Sequence, residues 1–437
     1  MVALSIPYRD PLIALAPLCD QSMSMLLHGS GEQPTARWSY LLADPIEVIE
    51  AGGDGGAMLA GMQRRLARVA VADGEAPFRG GWAGFFGYEF GAMLDGAMPQ
   101  AQAATLPRAA FGLYDCVAAF DHEKREAMIF SSDARKARRL SEQLGAAPYE
   151  PPRASGGVDA TEPASRYQAH VRRLVERIRA GDLFQANISR LFAGALGADD
   201  HPYAVFVRLC RESPAPFCAY MRLSDTAIVS NSPERLAQVT PTRAVRTSPI
   251  KGTRPRGGSA REDAELAAEL TQSEKDRAEN LMIVDLMRND ISRACKPGSV
   301  RTPDLFKIES YSNVHHLVST IEGELKPGLT AFDLMAAIFP AGSITGAPKI
   351  KAMQVIDEVE RAPREAFYGS IAWFGADGAM DSNVLIRTAI CRQRSERWDV
   401  SFRVGGGITS DSDPEAEAME TETKALRLLH AIQGDCA

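Results

Sequence analysis

Two carboxylates near the carboxyl terminus have a spacing that suits the binding of a cation. Glu417 and Glu420 lie three residues apart in a segment with helical periodicity, and Lys424 follows four residues after Glu420. Residues three or four positions apart share one face of a helix, so these three side chains should project together. An ordinary amphipathic surface helix has the same spacing and is the alternative interpretation.

A second carboxylate pair with the same spacing occurs earlier in the sequence. Asp276 and Glu279 lie just before the apolar turn of the segment AENLMIVDLMRND, which is also predicted to be helical. Magnesium prefers hard oxygen ligands in near-octahedral geometry, and two carboxylate faces with water and substrate oxygens would supply them. The pattern indicates a magnesium site if the two helices converge, which the sequence leaves open.

A lysine in the segment PIKGTRPRG could act as a nucleophile. Lys251 lies between an apolar Pro-Ile pair and a glycine, and Arg254 follows three residues later. An amine is nucleophilic only when neutral, so a lysine with a reference pKa of about 10.4 needs burial or nearby positive charge. Arg254 could supply that charge. Alternatively, Lys251 anchors a phosphate or carboxylate from a loop.

Glu234 and two glycine-containing segments complete the candidate site. Glu234, in NSPER at the predicted end of a strand, could serve as a general acid, although pairing with an arginine is the commoner fate. The segments GSITGAPK (342–349) and GGGI (405–408) would let backbone N–H groups approach an anion. Glycine also occurs in turns for conformation alone. Together with Arg387 and Lys424, these segments suggest a dianionic substrate.

The elements that must position these residues follow from periodicity and turn signals. A stretch rich in proline and glycine, residues 145–163, is predicted to be a linker or surface loop. The predicted strands are 40–42, 82–90, 116–120, 183–192, 217–221, 227–230, 244–250, 370–374, 385–391 and 399–404, the last ended by Gly405, Gly406 and Gly407. The predicted helices are 164–180, 261–288, 331–338, 349–360 and one that begins at Asp413-Pro414.

Composition limits the classes of partner. The 437 residues include 45% hydrophobic residues, and 49 basic against 56 acidic residues give a formal charge of −7, which argues against nucleic acid or an anionic membrane as the main partner. The amino-terminal segment lacks a cationic leader and is interrupted by prolines, so we expect neither a signal peptide nor a membrane span and predict a cytoplasmic protein. Seven cysteines without a CxxC pair argue against a disulfide framework or a zinc site, and Cys218 is expected to be a buried apolar residue.

Nine sequence blocks occur in the order typical of the chorismate-utilising enzymes, a family that the chain resembles over residues 166–429. The blocks are GDLFQANISR, SNSPER, PIKGTRPRG, AENLMIVDLMRND, VHHLVSTIEG, FPAGSITGAPK, YGSIAWF, IRTAI and GGGITSDSDPEAEAMETETKA. The resemblance implies an α+β fold of two packed antiparallel sheets with outer helices. It also implies a chorismate-binding catalytic domain over residues 160–435. Residues 1–150 resemble the mixed α/β region, packed on that domain, that binds tryptophan in regulated relatives.

The resemblance implies roles for individual residues. Glu279 and Glu420 match the principal carboxylates linked to Mg²⁺, with Asp276 and Glu417 at supporting positions. Glu234 matches the general acid that protonates the departing hydroxyl. The positions that match substrate contacts are Arg387, Tyr368, Ser343, Gly406 and Lys424 for the two carboxylates, and His316 beside the ring.

Lys251 and Gln185 narrow the reaction that the resemblance implies. Gln185 stands where water-adding relatives carry a lysine that activates water, so its amide argues against water as the nucleophile. The PIKGT lysine is typical of members that aminate chorismate at C4, whereas anthranilate synthases typically resemble PIAGT. The implied reaction is Mg²⁺-dependent: Lys251 adds at ring C2, the C4 hydroxyl leaves, and ammonia then adds at C4. Its product, 4-amino-4-deoxychorismate, belongs to p-aminobenzoate and folate biosynthesis.

Two other functions are possible for the chain, and the expected reaction also requires a partner that supplies ammonia. Component I of anthranilate synthase is the first alternative, and a catalytically inactive relative that only binds a partner or metabolite is the second. The sequence lacks the Cys nucleophile elbow and the His-Glu pair that a glutaminase would contribute. The resemblance therefore implies that ammonia comes from a separate glutamine amidotransferase subunit.

Overall fold

The computed structural model describes residues 2–31, 33–95, 104–311 and 314–434. The strands are β1 (Val2–Ile6), β2 (Met25–His28), β3 (Trp38–Leu42), β4 (Glu47–Glu50), β5 (Gly81–Phe86), β6 (Ala109–Tyr114), β7 (Cys116–Asp121), β8 (Glu126–Ser131), β9 (Gly157–Ala160), β10 (Gln185–Ala195), β11 (Phe217–Arg222), β12 (Thr226–Ser232), β13 (Arg235–Val239), β14 (Ala244–Thr247), β15 (Ile250–Pro255), β16 (Arg301–Ser310), β17 (Val314–Glu324), β18 (Gly346–Ala347), β19 (Ser370–Gly375), β20 (Met380–Asn383), β21 (Thr388–Arg394) and β22 (Arg397–Ile408). The helices are α1 (Pro11–Leu15), α2 (Gly55–Leu66), α3 (Phe90–Asp95), α4 (Ala134–Gln143), α5 (Ala164–Arg179), α6 (Pro202–Glu212), α7 (Ala260–Gln272), α8 (Glu274–Ser292), α9 (Ala331–Ile338), α10 (Gly342–Thr345), α11 (Lys349–Glu360) and α12 (Pro414–Gln433).

These strands pair in antiparallel fashion and form two sheets. Sheet A has 12 strands in the order β1-β8-β7-β3-β2-β11-β12-β21-β22-β10-β18, and β9 also pairs with β10. Sheet B has 10 strands in the order β15-β17-β14-β13-β20-β19-β5-β6-β4, and β16 also pairs with β17. The predicted α+β architecture of two antiparallel sheets is confirmed. Strands from before residue 145 extend both sheets, since β2 pairs with β11 and β5 with β19.

Apolar side chains fill layers on both faces of each sheet. The layer between the sheets takes Leu42 from sheet A and Trp373 from sheet B. On the outer side of sheet A, α1, α4, α6 and α12 contribute to one core, and α2, α8 and α9 contribute to another outside sheet B. Successive strand residues point to opposite faces, so Trp373 faces the inner layer while Phe374 stacks outward on Phe332 of α9. The strands therefore read as nearly continuous apolar runs in the sequence.

The predicted helix over residues 261–288 is two helices in the structure. Ser273 leaves the helical conformation with ψ 107°, and its hydroxyl accepts the backbone N–H of Asp276 at 3.2 Å. Serine is a favoured N-cap because its side chain satisfies an amide that has no partner within the helix. The break matters for the site because it makes Asp276 and Glu279 part of the first turns of a new helix.

Several predicted strand boundaries also differ. β22 continues through Gly405, Gly406 and Gly407 to Ile408, so the prediction that these glycines end the strand was wrong; they pair with β10. The predicted strand 385–391 begins only at Thr388, because Arg387 has a left-handed backbone with φ 50°. The predicted strand 244–250 is divided between β14 and β15, and the predicted strand 82–90 ends at Phe86.

Three further features bear on the earlier expectations. Residues 145–163 include β9, a short strand paired with β10, so the predicted loop is in part sheet. Five of the six described cysteines are buried, Cys218 among them, and Cys436 lies outside the described residues. No helix in the described ranges is long and apolar enough to cross a bilayer.

Candidate active site

A bulge at one edge of sheet B directs Lys251 toward the interior. β15 pairs with β17 at Ile250 opposite Val318 and again at Thr253 opposite His316. Between these two pairs, β15 contains one residue more than β17. The extra residue is accommodated at Gly252, whose φ of +81° favours glycine. The Lys251 side chain is half-buried as a result.

The surroundings of Lys251 lower the pKa of its amine. Burial lowers the pKa of Lys251 below its ordinary value, with the Lys424 ammonium adding to the effect and the carboxylates of Glu279 and Glu234 opposing it. Arg254 instead forms ion pairs with Glu269 at 2.8 Å and Asp276 at 3.1 Å. The suggestion that Arg254 supplies the positive charge is therefore corrected: burial is the main cause.

Glu234 is a buried carboxyl that faces the same space. It lies between β12 and β13 and is 8% exposed. Burial raises its pKa to about 7, although Lys251 and the N–H of Ile250 both favour the carboxylate. The adjacent Arg235 pairs with Asp381 at 2.8 Å rather than with Glu234. A carboxyl that titrates near neutrality can hold a proton and donate it at physiological pH.

The amino-terminal half of α8 carries the first predicted carboxylate pair. Asp276 and Glu279 are half-buried, with side chains 17% and 24% exposed. Asn280, the next residue, is fully buried and fixes α8 to β17 by donating to the carbonyl of Leu317 at 3.3 Å and accepting from the Ser319 hydroxyl at 2.5 Å. Because of this anchor, the carboxylates have a fixed direction relative to sheet B.

The second carboxylate pair lies on the first turns of α12. Asp413 caps this helix by accepting the N–H groups of Glu415 and Ala416. The buried Glu417 accepts the Ser412 hydroxyl at 2.7 Å. Glu420 is half exposed and pairs with Lys424 at 2.5 Å, so the predicted shared face is observed.

β22 passes directly against this face of α12. Lys424 donates to the carbonyl of Gly405 at 2.9 Å. A Cβ at Gly406 would lie 3.2 Å from a Glu417 oxygen and 3.8 Å from both Glu420 and Lys424. The glycine therefore leaves open the space that these charged groups border.

The two carboxylate helices converge, which the sequence had left open. Burial raises the pKa of Glu279, and the like charges of Asp276 and Glu420 raise it further against the opposing effect of Lys251 and Lys275. Burial likewise raises the pKa of Glu417, with Glu420 adding to it. Burial also acts on Glu420, but the ammonium groups of Lys424, Lys251 and Lys275 outweigh it and lower the pKa of that carboxyl. A group of oxygen donors at one place fits a hard divalent cation such as Mg²⁺.

Arg387 and His316 form the side of the site that suits an anion. Burial lowers the pKa of the Arg387 guanidinium. The backbone carbonyl of Arg387 accepts the N–H of Asn231 at 3.0 Å. The His316 Nδ1 lies 2.8 Å from the Thr253 hydroxyl. Burial, with Arg387 nearby, lowers the pKa of His316 to about 4, so its ring is neutral at physiological pH. A carboxylate would offset the desolvation of Arg387.

Tyr368 reaches the site through a left-handed backbone, with φ 61°. It is buried, which raises the pKa of its hydroxyl, and its neighbours include Glu234 and Glu420. The Arg364 guanidinium lies 5.1 Å from the Tyr368 ring centroid and pairs with Glu360 at 2.6 Å. Sequence reasoning missed Arg364 and Glu360, although an acid and a base four residues apart were a visible signal.

Gln185 and Ser343 lie at the β10 edge of sheet A. The Gln185 side chain is 1% exposed, and its amide nitrogen has no hydrogen-bond partner among the described residues. A Cβ at Gly407 would lie 2.4 Å from that nitrogen. Ser343 is buried in α10, where its carbonyl accepts from Asn187 at 3.3 Å. Asn187 was also missed by sequence reasoning, because its amide acts on backbone carbonyls remote in sequence.

The structure thus groups the predicted residues into one region. A first set interacts electrostatically around the Lys251 amine: Glu234, Glu279, Glu420 and Lys424. A second set joins it through shared strands and helices: Asp276, Glu417, Gly406, Gln185, Ser343, Tyr368, His316 and Arg387. The chemical roles of these residues remain predictions.

Comparison with known proteins places this geometry in context. The model of the family described as chorismate binding enzyme matches residues 27–430. Aminodeoxychorismate synthase component 1 of Salmonella typhimurium is 38% identical, covering 98% of each chain, and that of Klebsiella aerogenes is 37% identical with the same coverage. The crystal structure of anthranilate synthase component I from Streptococcus pneumoniae is 28% identical, with a TM-score of 0.77 over 91% of this chain and 93% of that one.

The raised pKa of Glu234 predicts a pH-dependent change in stability. Its folded pKa of about 7 exceeds the ordinary 4.5, so the stability that its neutral form contributes is lost as pH rises through about 7. Glu234→Gln should therefore raise the melting temperature more at pH 8 than at pH 5. The measurement is thermal unfolding across this range, with the exposed Glu396→Gln as the matched control. An equal effect of Glu234→Gln at both pH values would contradict the prediction.

Proposed function

The chain belongs to the chorismate binding enzyme family, and we propose that it aminates chorismate at C4 to give 4-amino-4-deoxychorismate for p-aminobenzoate and folate biosynthesis. Near full-length similarity to the two aminodeoxychorismate synthase components supports the choice of reaction. The observation that carries the proposal is Lys251, whose half-buried amine faces the carboxyl groups of Glu234 and Glu279. If Lys251 only anchored an anion, burial that lowers the pKa of its amine would work against that role, because only the charged amine attracts an anion.

Lys251 is the nucleophile in the proposed reaction. Its neutral amine forms a bond to ring C2, the ring double bonds shift, and the C4 hydroxyl leaves as water with a proton from Glu234. Ammonia then bonds to C4, the double bonds shift back, and the C2–N bond breaks to return the lysine amine. The net change exchanges one hydroxyl for one amino group and releases water.

The remaining site residues bind and orient the substrate. We assign the two substrate carboxylates to Arg387, Tyr368, Ser343, Gly406 and Lys424, and the position beside the ring to His316. The neutral His316 can approach the ring without competing with Arg387 for a carboxylate. Gln185 offers an amide that cannot deprotonate water, which favours ammonia as the second nucleophile.

The carboxylates of α8 and α12 would hold Mg²⁺. Glu279 and Glu420 are the principal ligands in this proposal, with Asp276 and Glu417 in support. When bound, the cation offsets the charge of the substrate ring carboxylate. The raised pKa values of Glu279 and Glu417 support this assignment: burial is the main cause and neighbouring carboxylates add to it, and a bound cation would offset both effects.

We also propose that a separate glutamine amidotransferase subunit supplies the ammonia. The 437 residues lack the Cys nucleophile elbow and the His-Glu pair of a glutaminase. The buried Cys218 sulfur donates to the carbonyl of Ala215 at 3.2 Å and accepts from Asn231 at 3.3 Å, and neither of these partners is a base that could activate a thiol. Both observations favour a second chain as the source.

Product identity tests the reaction. We expect the chain, given chorismate, an ammonium salt and Mg²⁺, to form 4-amino-4-deoxychorismate, identified by mass spectrometry and converted to p-aminobenzoate by an added lyase. Because the chain is also similar to an anthranilate synthase component I, anthranilate is the competing product to look for. Direct accumulation of anthranilate with an equal amount of pyruvate would replace the proposal with that activity.

Lys251→Ala should lower ammonia-dependent turnover by about a thousandfold or more, because it removes the attacking atom. Intact-protein mass spectrometry after a quench without ammonia should detect an adduct of chorismate less water on the wild type and none on the variant. Lys136→Met, on the surface of α4, is the control and should keep full turnover. Undiminished turnover in a folded Lys251→Ala protein would eliminate the covalent step.

Removal of one helix carboxylate should weaken metal binding. We expect Glu279→Gln to raise the Mg²⁺ concentration needed for half-maximal activity about tenfold or more, with a matching loss in calorimetric Mg²⁺ binding. Glu274→Gln, an exposed substitution on the same helix, is the control. If both variants bind Mg²⁺ like the wild type, the assignment of Glu279 is incorrect.

A further inference from the structure

The segment of residues 339–348 contains Ser343 and is fastened by a buried ion pair that the reaction does not use. Lys349, at the start of α11, lies with its Nζ 2.7 Å from an Asp290 oxygen, and their side chains are 13% and 5% exposed. The same Nζ donates to the carbonyl of Ile338 at 3.2 Å. One ammonium therefore joins both ends of the segment to α8.

Asp290 also holds the interior of this segment. Burial raises the pKa of the Asp290 carboxyl, and the N–H of Gly342, the first residue of α10, lies close enough to oppose that effect. A Cβ at Gly342 would lie 2.4 Å from a Leu286 methyl carbon, so α10 rests directly on α8. Ser343 follows Gly342, and its position depends on where this contact places the turn.

The opposite side of the segment is held by sheet A. Asn187 donates to the carbonyls of Ser343 and Thr345 at 3.3 and 3.4 Å, and Gly346 pairs with Ala186 of β10. The segment of residues 339–348 is thus held between α8 and β10, and we call these contacts the clamp. Asp290 lies 11 residues after Glu279, about 16 Å along α8, so it belongs to the clamp and not to the carboxylate group.

We infer that Asp290 and Lys349 are positioning residues, which set Ser343 at the distance that a substrate carboxylate requires. The inference rests on the proposed function, since it concerns how that substrate is held. A buried ion pair adds little stability compared with apolar residues of equal volume. The contacts of the Lys349 ammonium with Asp290 and with the carbonyl of Ile338 fix geometry instead.

The test separates positioning from stability. Asp290→Asn should raise the KM for chorismate about tenfold while kcat changes less than about twofold, because Ser343 binds the ground state and the transition state alike. Asp200→Asn is the matched control, since Asp200 and Arg208 form a buried pair of 2.5 Å on the far side of sheet A. It should lower the melting temperature without moving the KM.

Further variants and a hydrogen-exchange experiment keep the inference testable if Asp290→Asn folds poorly or if the wild type does not catalyse the proposed reaction. Asp290→Asn/Lys349→Met removes both charges and should retain the raised KM, whereas Lys349→Arg should stay close to the wild type. Hydrogen exchange within residues 339–348 of the substrate-free protein should increase in Asp290→Asn and not in Asp200→Asn. An unchanged KM or unchanged exchange overturns the inference. A wild type that does not convert chorismate overturns the proposed function. In that case the exchange experiment still shows whether Asp290 and Lys349 hold residues 339–348 in place.

Discussion

The contact between the bulge in β15 and the start of α8 determines where the charged groups of the site can lie. A Cβ at Gly252 would come within 3.0 Å of the Asp276 carboxylate, so the bulge and the first turn of α8 pack against each other. Lys251 precedes that glycine, and Glu279 follows Asp276 by one helical turn. The amine and the carboxylates are therefore brought together by backbone geometry, before any attraction between their charges contributes.

Burial then acts on the two central groups in opposite directions. It lowers the pKa of the Lys251 amine and raises that of the Glu234 carboxyl, because each charged form loses its hydration. The mutual attraction of the charged forms opposes both shifts. Since burial is the larger effect on each group, the pKa of the amine falls and the pKa of the carboxyl rises, so the two values move toward each other. Both directions suit the proposed reaction, in which a neutral amine attacks and a protonated carboxyl donates its proton.

Sequence reasoning succeeded where a pattern is local and failed where packing decides. The spacing of Glu417, Glu420 and Lys424 fixed a shared helix face, and α5, α9 and α11 follow from apolar periodicity. The break at Ser273 was missed because the apolar and charged pattern continues through it and only the cap interrupts the helix. Arg254 was misjudged because its partners Glu269 and Asp276 lie on helices whose approach the sequence does not encode.

The glycines of β22 illustrate the difference between a conformational and a spatial requirement. None of Gly405, Gly406 and Gly407 has a positive φ, so a turn does not explain them. A Cβ at Gly405 would lie 2.1 Å from the carbonyl of Ile188, and one at Gly407 would meet Gln185. At Gly406 the neighbours are instead the charged groups of α12. Two of the three glycines thus let β22 lie close to β10, and the third keeps the sheet from filling the space beside the α12 carboxylates. A side chain at position 406 would occupy the volume that a substrate carboxylate needs in the proposed reaction.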